Sequence, residues 1–213
     1  MYQSLKEMVY EYISDEIRTK KLKANDKVNE LAISQKLNVS RTPVREALVQ
    51  LSADGLLEMT PRRGFRVMEL GIKTVQDLYT VLGALDVLAA SIAIKLINRK
   101  DLDKMDEFIQ DMDKAIEEYN FKEYYKLQVE FHNVYVNKTD NEILIDEINR
   151  LKKRFVRQSY SNVDDPKMKE ALAGANKEHE EILECFRLDN SRKLKKVLVK
   201  HWNVNYADLD SID

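Results

Sequence analysis

The sequence predicts a mainly α-helical chain in two parts. A small helical domain carrying a two-stranded hairpin comes first, and an antiparallel all-helical bundle follows. Three observations predict this. The 213 residues hold five glycines and three prolines against 34% charged and 44% hydrophobic residues, so turns are few and amphipathic runs long. Two short apolar-periodic segments meet at Asn38-Val39, and two strand-like segments flank Pro61-Arg62-Arg63-Gly64. From about residue 75 helical periodicity runs to the end, broken only by capping and turn residues. The expected division is 1–69 for the first domain, 70–74 for a linker and 75–213 for the second, each long enough for a core.

The first helix spans about Tyr2 to Lys20, with Leu5, Met8, Val9, Tyr12, Ile13 and Ile17 on its inner face. A second runs from Asn29 to Leu37 with Leu31, Ala32 and Leu37 apolar, and Asn38-Val39 turns the chain into a third. In that third helix Val44, Ala47, Leu48 and Leu51 recur at i, i+3, i+4 and i+7 and dock on a core. Arg41, Thr42 and Arg45 lie off that stripe, free to reach a partner. Ser40 or Thr42 suits the N-cap, Pro43 is tolerated in the first turn, and Gly55 after Asp54 suits a left-handed end. Leu56 to Thr60 and Phe65 to Val67 read as strands, joined by a turn that exposes Arg62 and Arg63. Together these make a winged helix-turn-helix. A helix with a packed back and an Arg/Thr front is what major-groove reading requires.

The formal net charge is −2, but its distribution matters more. Residues 1–70 hold 12 Lys and Arg against 10 Asp and Glu, and residues 18–45 hold eight against two. The basic patches coincide with the expected reading face, and local charge governs contact with phosphates. A single cysteine, Cys185, excludes an internal disulfide and suits a reducing cytoplasm. The chain opens on an amphipathic helix rather than a signal peptide. The most apolar stretch, Val81 to Ile97, contains Asp86 and Lys95 and reads as too short and too charged to span a bilayer. The expectation is a cytoplasmic protein with no membrane partner.

The order Leu31, Ser40-Arg41-Thr42-Pro43-Val44-Arg45-Glu46-Ala47-Leu48, Leu51, Gly55-Leu56-Leu57-Glu58 and Pro61-Arg62-Arg63-Gly64-Phe65 resembles the DNA-binding domain of the GntR family of bacterial transcription regulators. The resemblance covers about the first 68 residues. It implies that Arg41 and Arg45 contact bases or adjacent phosphates, that Thr42 contacts the backbone, and that Arg63 and Gly64 enter the minor groove at the wing tip beside Arg62. Members often carry arginine where this chain has Asn29, so one contact differs.

Further helices are expected at about 75–97, 100–118, 121–137, 141–161, 167–188 and 191–208. All three histidines fall here, each on an apolar face. His132 lies with Tyr124, Phe131 and Tyr135, one turn beyond Gln128. His179 lies with Leu172, Ala175, Ile182, Leu183 and Phe186. His201 lies with Leu194, Val197, Leu198 and Val204. A single inward histidine is usually a hydrogen-bonded core residue. Three on separate helices can instead assemble a metal site inside a bundle, with zinc or nickel the ions suited to imidazole.

This half resembles the FCD ligand-sensing domain of the FadR-like subgroup, through Phe131-His132, Asn141, Glu178-His179 with Ile182, and His201. The resemblance implies a small-molecule effector, an organic acid in many members, and a metal held by three histidines and an Asp. Here Gln128 stands at the Asp position. Leu82 stands where many members place an effector-binding Arg, with Asp86 at a Glu position. Tyr124, Arg154 or Lys152 are the candidate replacements for that anchor, although the basic run Arg150 to Arg157 also reads as a solvated helix face. The helix at 75–97 is apolar on several faces (Leu78, Val81, Leu82, Leu85, Leu88, Ile92), which suits dimer or interdomain packing.

The leading expectation is therefore a homodimeric, ligand-responsive transcription regulator, a repressor, on a palindromic DNA operator. A metal-free regulator whose histidines bind the effector directly is the alternative. A metal-dependent enzyme built on His132, His179 and His201 is the remote rival. Gln128 supplies no catalytic carboxylate, and no nucleophile triad or phosphate loop appears elsewhere.

Overall fold

The computed structural model describes residues 4–69, 71–154 and 166–203. These fall into two compact units, residues 4–71 with 150–154, and residues 72–149 with 166–203.

In the first unit the order is α1 (Leu5–Arg18), β1 (Lys27–Val28), α2 (Glu30–Leu37), α3 (Arg41–Ala53), β2 (Leu57–Thr60) and β3 (Gly64–Val67). α1 opens with a capping box, in which Ser4 and Glu7 each accept the other's backbone N–H. Val9, Ile13 and Ile17 of α1 meet Val44, Ala47, Leu48 and Leu51 of α3 in one core with Leu56, Leu57, Phe65 and Val67. Each Val, Ile, Leu or Phe among them contributes about 1.5–3 kcal/mol on burial, which holds the α3 back in place.

Three expectations need correction here. Leu5 is 55% exposed, because it precedes the first turn that reaches the core. In α2 the anchor is Ile33, while Leu31 is 49% exposed and Ala32 is exposed too. The sheet has three strands rather than two, in the order β1-β3-β2, with Lys27 opposite Arg66 and Val28 opposite Phe65. A two-residue strand has too little alternation to show in a sequence.

The second unit holds α4 (Ile72–Ala93), α5 (Arg99–Glu117), α6 (Phe121–Val136), a 3₁₀ turn (Asn137–Thr139), most of α7 (Glu142–Arg154), α8 (Pro166–Arg187) and α9 (Ser191–His201). α5 packs on α6 and α8, α9 lies against α4 and α8, and α4 also contacts α6. Asn98, Asn120 and Asn190 cap α5, α6 and α9 by accepting first-turn N–H groups, as expected of these breaks. α4 starts at Ile72 and ends at Ala93, earlier at both ends than expected, so its first turn lies inside the expected linker. The segments of the expected helices at 2–3, 155–161 and 204–208, and Val204 with them, lie outside the described residues.

The earlier onset also changes one reading. Among the described residues α4 is the one helix long and apolar enough to cross a membrane by length and composition. Its apolar content has another use, since Leu78, Leu82, Ala89, Ala90 and Ala93 are buried in the bundle.

Candidate functional site

The front of α3 is the first site. Arg41, Thr42 and Arg45 are exposed, opposite the fully buried Val44, Ala47, Leu48 and Leu51. They line an open groove of about 720 Å³ together with Lys6 of α1, Glu30 of α2, and Glu46 and Val49. Lys6, Glu46 and Val49 were not singled out from sequence. Lys6 sits on a different helix, and only the packing of α1 on α3 brings it to this groove.

Ser40 has extended N-cap backbone, yet no side chain caps α3, contrary to the expectation for Ser40 or Thr42. The first-turn N–H groups of α3 are therefore not capped by Ser40, and they lie at the positive end of the helix beside Arg41. Asn29 is committed elsewhere. Its side-chain oxygen accepts from the N–H groups of Leu31 and Ala32, at 3.0 and 3.1 Å, and starts α2. An arginine there would reach outward but leave that helix uncapped.

The hairpin pairs Thr60 with Gly64 across Pro61-Arg62-Arg63. Arg62 takes a left-handed backbone (φ 63°), Gly64 does so at 86°, and Arg63 N–H donates to the Thr60 carbonyl at 3.0 Å. Both arginines are exposed at the tip.

The second site is the histidine cluster. His132 on α6, His179 on α8 and His201 at the end of α9 come together, one ring nitrogen from each lying within 4.8 Å of the others. Ring centroids are 4.7–5.3 Å apart. Helical spacing alone could place each ring inward, and the bundle, with α5 against both α6 and α8 and with α9 against α8 and α4, makes them meet.

The partners of the three rings fix their tautomers. Asn176 donates its amide N–H groups to the Ile109 carbonyl (3.1 Å) and Asp113 (2.7 Å), so its oxygen faces His179 Nδ1 at 3.2 Å and must accept. Glu178 faces His201 Nδ1 at 3.0 Å, and a carboxylate accepts. Tyr135 donates its hydroxyl to Asp86 at 2.6 Å, so its oxygen accepts from His132 Nδ1 at 2.5 Å. Each Nδ1 is thus a donor, which in a neutral ring leaves Nε2 as the acceptor or metal-binding atom. His179 Nε2 is buried without a hydrogen-bond partner among the described residues.

Burial holds His179 well below the ordinary histidine range, and the neighbouring His201 and His132 push it the same way. The ring is therefore neutral at pH 7. The hydrogen bond from His201 holds Glu178 below the usual carboxylate range, against the opposite effect of its burial, with Lys200 helping. Burial, then the Asp86 charge, pushes Tyr135 well up, so it remains a hydroxyl. Three imidazoles with one ring nitrogen each inside a 4.8 Å cluster are a donor set that fits a divalent cation of the zinc or nickel class.

Other expected residues are placed as follows. Gln128 is half-buried one turn before His132. Tyr124 is fully buried, its hydroxyl without a hydrogen-bond partner among the described residues. Leu82 is buried and apolar. Arg154 and Lys152 fall in the first unit, and the Arg154 guanidinium lies where a Cβ on Gly55 would sit. The end of α7 thus belongs to the first unit, and the histidines to the second.

The orienting residues Asn176, Glu178, Tyr135, Asp86 and Trp202 were not assigned that role from sequence. A signal existed, since Asn176 is at i−3 from His179 and Tyr135 at i+3 from His132, each on the same helix face as its histidine.

Comparison with known proteins identifies both halves of the chain. Residues 5–67 match the model described as bacterial regulatory proteins, gntR family, and residues 77–204 match the FCD domain. The chain is 26% identical over 206 residues to the Bacillus subtilis "Uncharacterized HTH-type transcriptional regulator YdhC", covering 95% of this chain and 86% of that one. It is 24% identical over 174 residues to the Escherichia coli "HTH-type transcriptional repressor RspR", covering 82% and 75%. In fold it is similar to E. coli McbR/YncC, with a TM-score of 0.81 at 19% identity over 99% of both chains. A GntR regulator from a Rhodococcus species gives 0.75 at 16% identity over 98% and 97%. These relatives and domains are transcription regulators, not enzymes. The chain belongs to the FCD-domain family and, with its GntR reading head, is a GntR-family transcription regulator of the FadR-like kind.

Proposed function

We propose that this ligand-responsive DNA-binding regulator acts as a homodimeric cytoplasmic repressor on a palindromic operator. The observation that carries the DNA reading is the exposed Arg41, Thr42 and Arg45 front on a helix whose back is fully buried. In this reading Arg41 and Arg45 reach base edges in the major groove, Thr42 and Lys6 take phosphates, and Arg62, Arg63 and Gly64 enter the minor groove. Two copies read two half-sites related by the dimer axis. An exposed stripe on α4, with Val81 at 50% and Leu88 at 48%, supports pairing through that helix. The described relative RspR supports repression.

In the second unit His132, His179 and His201 would hold a divalent metal of the zinc or nickel class, with Gln128 at its edge. The ion would supply positive charge for an organic-acid effector, in a region where Leu82 brings none. Tyr124, with its buried hydroxyl, is the polar group available for that effector. Effector binding would shift the population between two arrangements of the regulator by its differential affinity for them.

The test is selection of operator fragments followed by fluorescence anisotropy. Arg41→Ala and Arg45→Ala should each weaken specific binding by about 1–3 kcal/mol, and Arg63→Ala should lower the salt slope by roughly one. Undiminished binding after both α3 changes would overturn the reading. Elemental analysis of the purified protein decides between the metal site and histidines that bind effector directly.

A further inference from the structure

Asp86 lies on α4, outside the three helices that carry the histidines, and is fully buried. One of its oxygens, Oδ2, accepts from the Tyr135 hydroxyl at 2.6 Å and from the Trp202 indole N–H at 2.8 Å. The same oxygen is 3.3 Å from His132 Nδ1. A single carboxylate oxygen therefore joins α4 to α6 and to the end of α9. Trp202 is held there tightly, because its Cβ lies 2.7 Å from where a Cβ on Gly83 would sit.

A buried carboxylate is costly unless hydrogen bonds and a positive charge answer it. Three neutral imidazoles bring no charge to a divalent ion, and Gln128 is a neutral amide. Glu178 also reaches the cluster, through His201, but it is part-exposed and already paired with Lys200 Nζ at 3.0 Å. Asp86 is the fully buried carboxylate hydrogen-bonded into the cluster's surroundings.

We infer that Asp86 is the positioning residue that supplies the negative charge for this histidine cluster, acting through Tyr135 on His132 and holding Trp202 by the same oxygen. The inference rests on the metal reading of the cluster and deepens it. Asp86 draws on the Tyr135 hydroxyl, which orients the His132 ring and strengthens its Nε2 as a donor to metal. It thereby stands in, from behind a ligand, for the carboxylate that Gln128 does not provide. Trp202, the sole tryptophan, becomes a reporter of the same oxygen.

The test titrates the full-length, metal-stripped protein with zinc, and with cobalt(II) as a spectroscopic probe, following Trp202 emission and the cobalt visible bands. Asp86→Asn keeps the shape and removes the charge. It should lower metal affinity about 10–100-fold and shift the Trp202 emission maximum. Tyr135→Phe leaves Asp86 and Trp202 bonded but removes the hydroxyl between Asp86 and His132, leaving only their longer 3.3 Å approach, and it should also weaken binding. Because the two act in series, the double variant should be no weaker than Asp86→Asn alone. Wild-type affinity in Asp86→Asn, wild-type affinity in Tyr135→Phe, or full additivity would each overturn the inference. Should Asp86→Asn fail to fold, Tyr135→Phe decides alone by the same criterion. Absence of metal binding by the wild-type protein would instead overturn the metal reading itself.

Discussion

Asn176 and His179 form a fixed pair one turn apart on α8, with the Asn176 oxygen 3.2 Å from His179 Nδ1. The remaining Asn176 hydrogens go to the Ile109 carbonyl and Asp113, tying α8 to α5. Asn176→Ala removes all three bonds and leaves a buried carbonyl and a ring N–H unanswered. The expected cost is about 1–3 kcal/mol in the unfolding free energy of the metal-free protein, measured in urea. Asn176→Asp keeps the acceptor for His179 but cannot donate, so it should destabilise as well. Unaltered midpoints in both variants would mean that this network holds nothing.

Two helix starts should respond differently to the same kind of change. α5 begins with Asn98 accepting from the N–H groups of Lys100 and Asp101, while Asp101 accepts from the Asn98 N–H at 3.0 Å. α3 begins at Ser40 with no side-chain cap. Asn98→Ala should therefore cost about 1 kcal/mol, and Ser40→Ala should change thermal stability little. Equal losses at the two sites would contradict the uncapped start of α3.

That contrast marks where sequence reasoning succeeds and where it stops. Asn98, Asn120 and Asn190 are legible caps because the residue type and the following periodicity agree. The buried stripe of α3 was legible for the same reason, with Val44, Ala47, Leu48 and Leu51 all buried as their spacing requires. Ser40 holds the expected N-cap position but makes no cap hydrogen bond, because a serine there need not turn its hydroxyl inward. The three histidines could be placed inward one helix at a time, but their meeting depends on how α6, α8 and α9 pack. Asp86 and Trp202 lie 116 residues apart and share one hydrogen bond, a relationship no local pattern carries. Arg154 falls in the first unit because the course of α7, not its composition, decides which unit its last turn joins.

Acid should expose the contribution of Asp101. Its burial raises its pKa, but hydrogen bonds from Lys138 (2.8 Å) and the Asn98 backbone outweigh that and leave it lowered. A carboxyl lowered in the folded state binds its proton more readily in the unfolded chain. Its stabilising contribution is thus fully present above the unfolded value, about 3.9, and is lost as pH falls through the folded value. Asp101→Asn should be less stable than the wild type at pH 7, and the gap should narrow by pH 3 as the wild type loses the same charge. A gap that stays constant in urea titrations at pH 7 and pH 3 would count against this.

Gly83 faces the side chain that closes over the histidines. A Cβ there would lie 2.7 Å from Trp202 Cβ and 3.1 Å from its Cγ, closer than packed carbons tolerate. The clash falls on the root of the side chain, so a rotamer change at the ring cannot relieve it. Alanine would favour helix α4 by about 1 kcal/mol in isolation, while overpacking of this kind costs about 1–3 kcal/mol. Gly83→Ala should therefore come out neutral to destabilising, against the usual gain for such a change in a helix. Its clearer signature is optical. Displacing Trp202 stretches its 2.8 Å bond to Asp86 and its 5.2 Å contact with His132, so its emission should shift to the red. A stabilised Gly83→Ala protein with unmoved emission would show that Trp202 does not pack on α4 in this way.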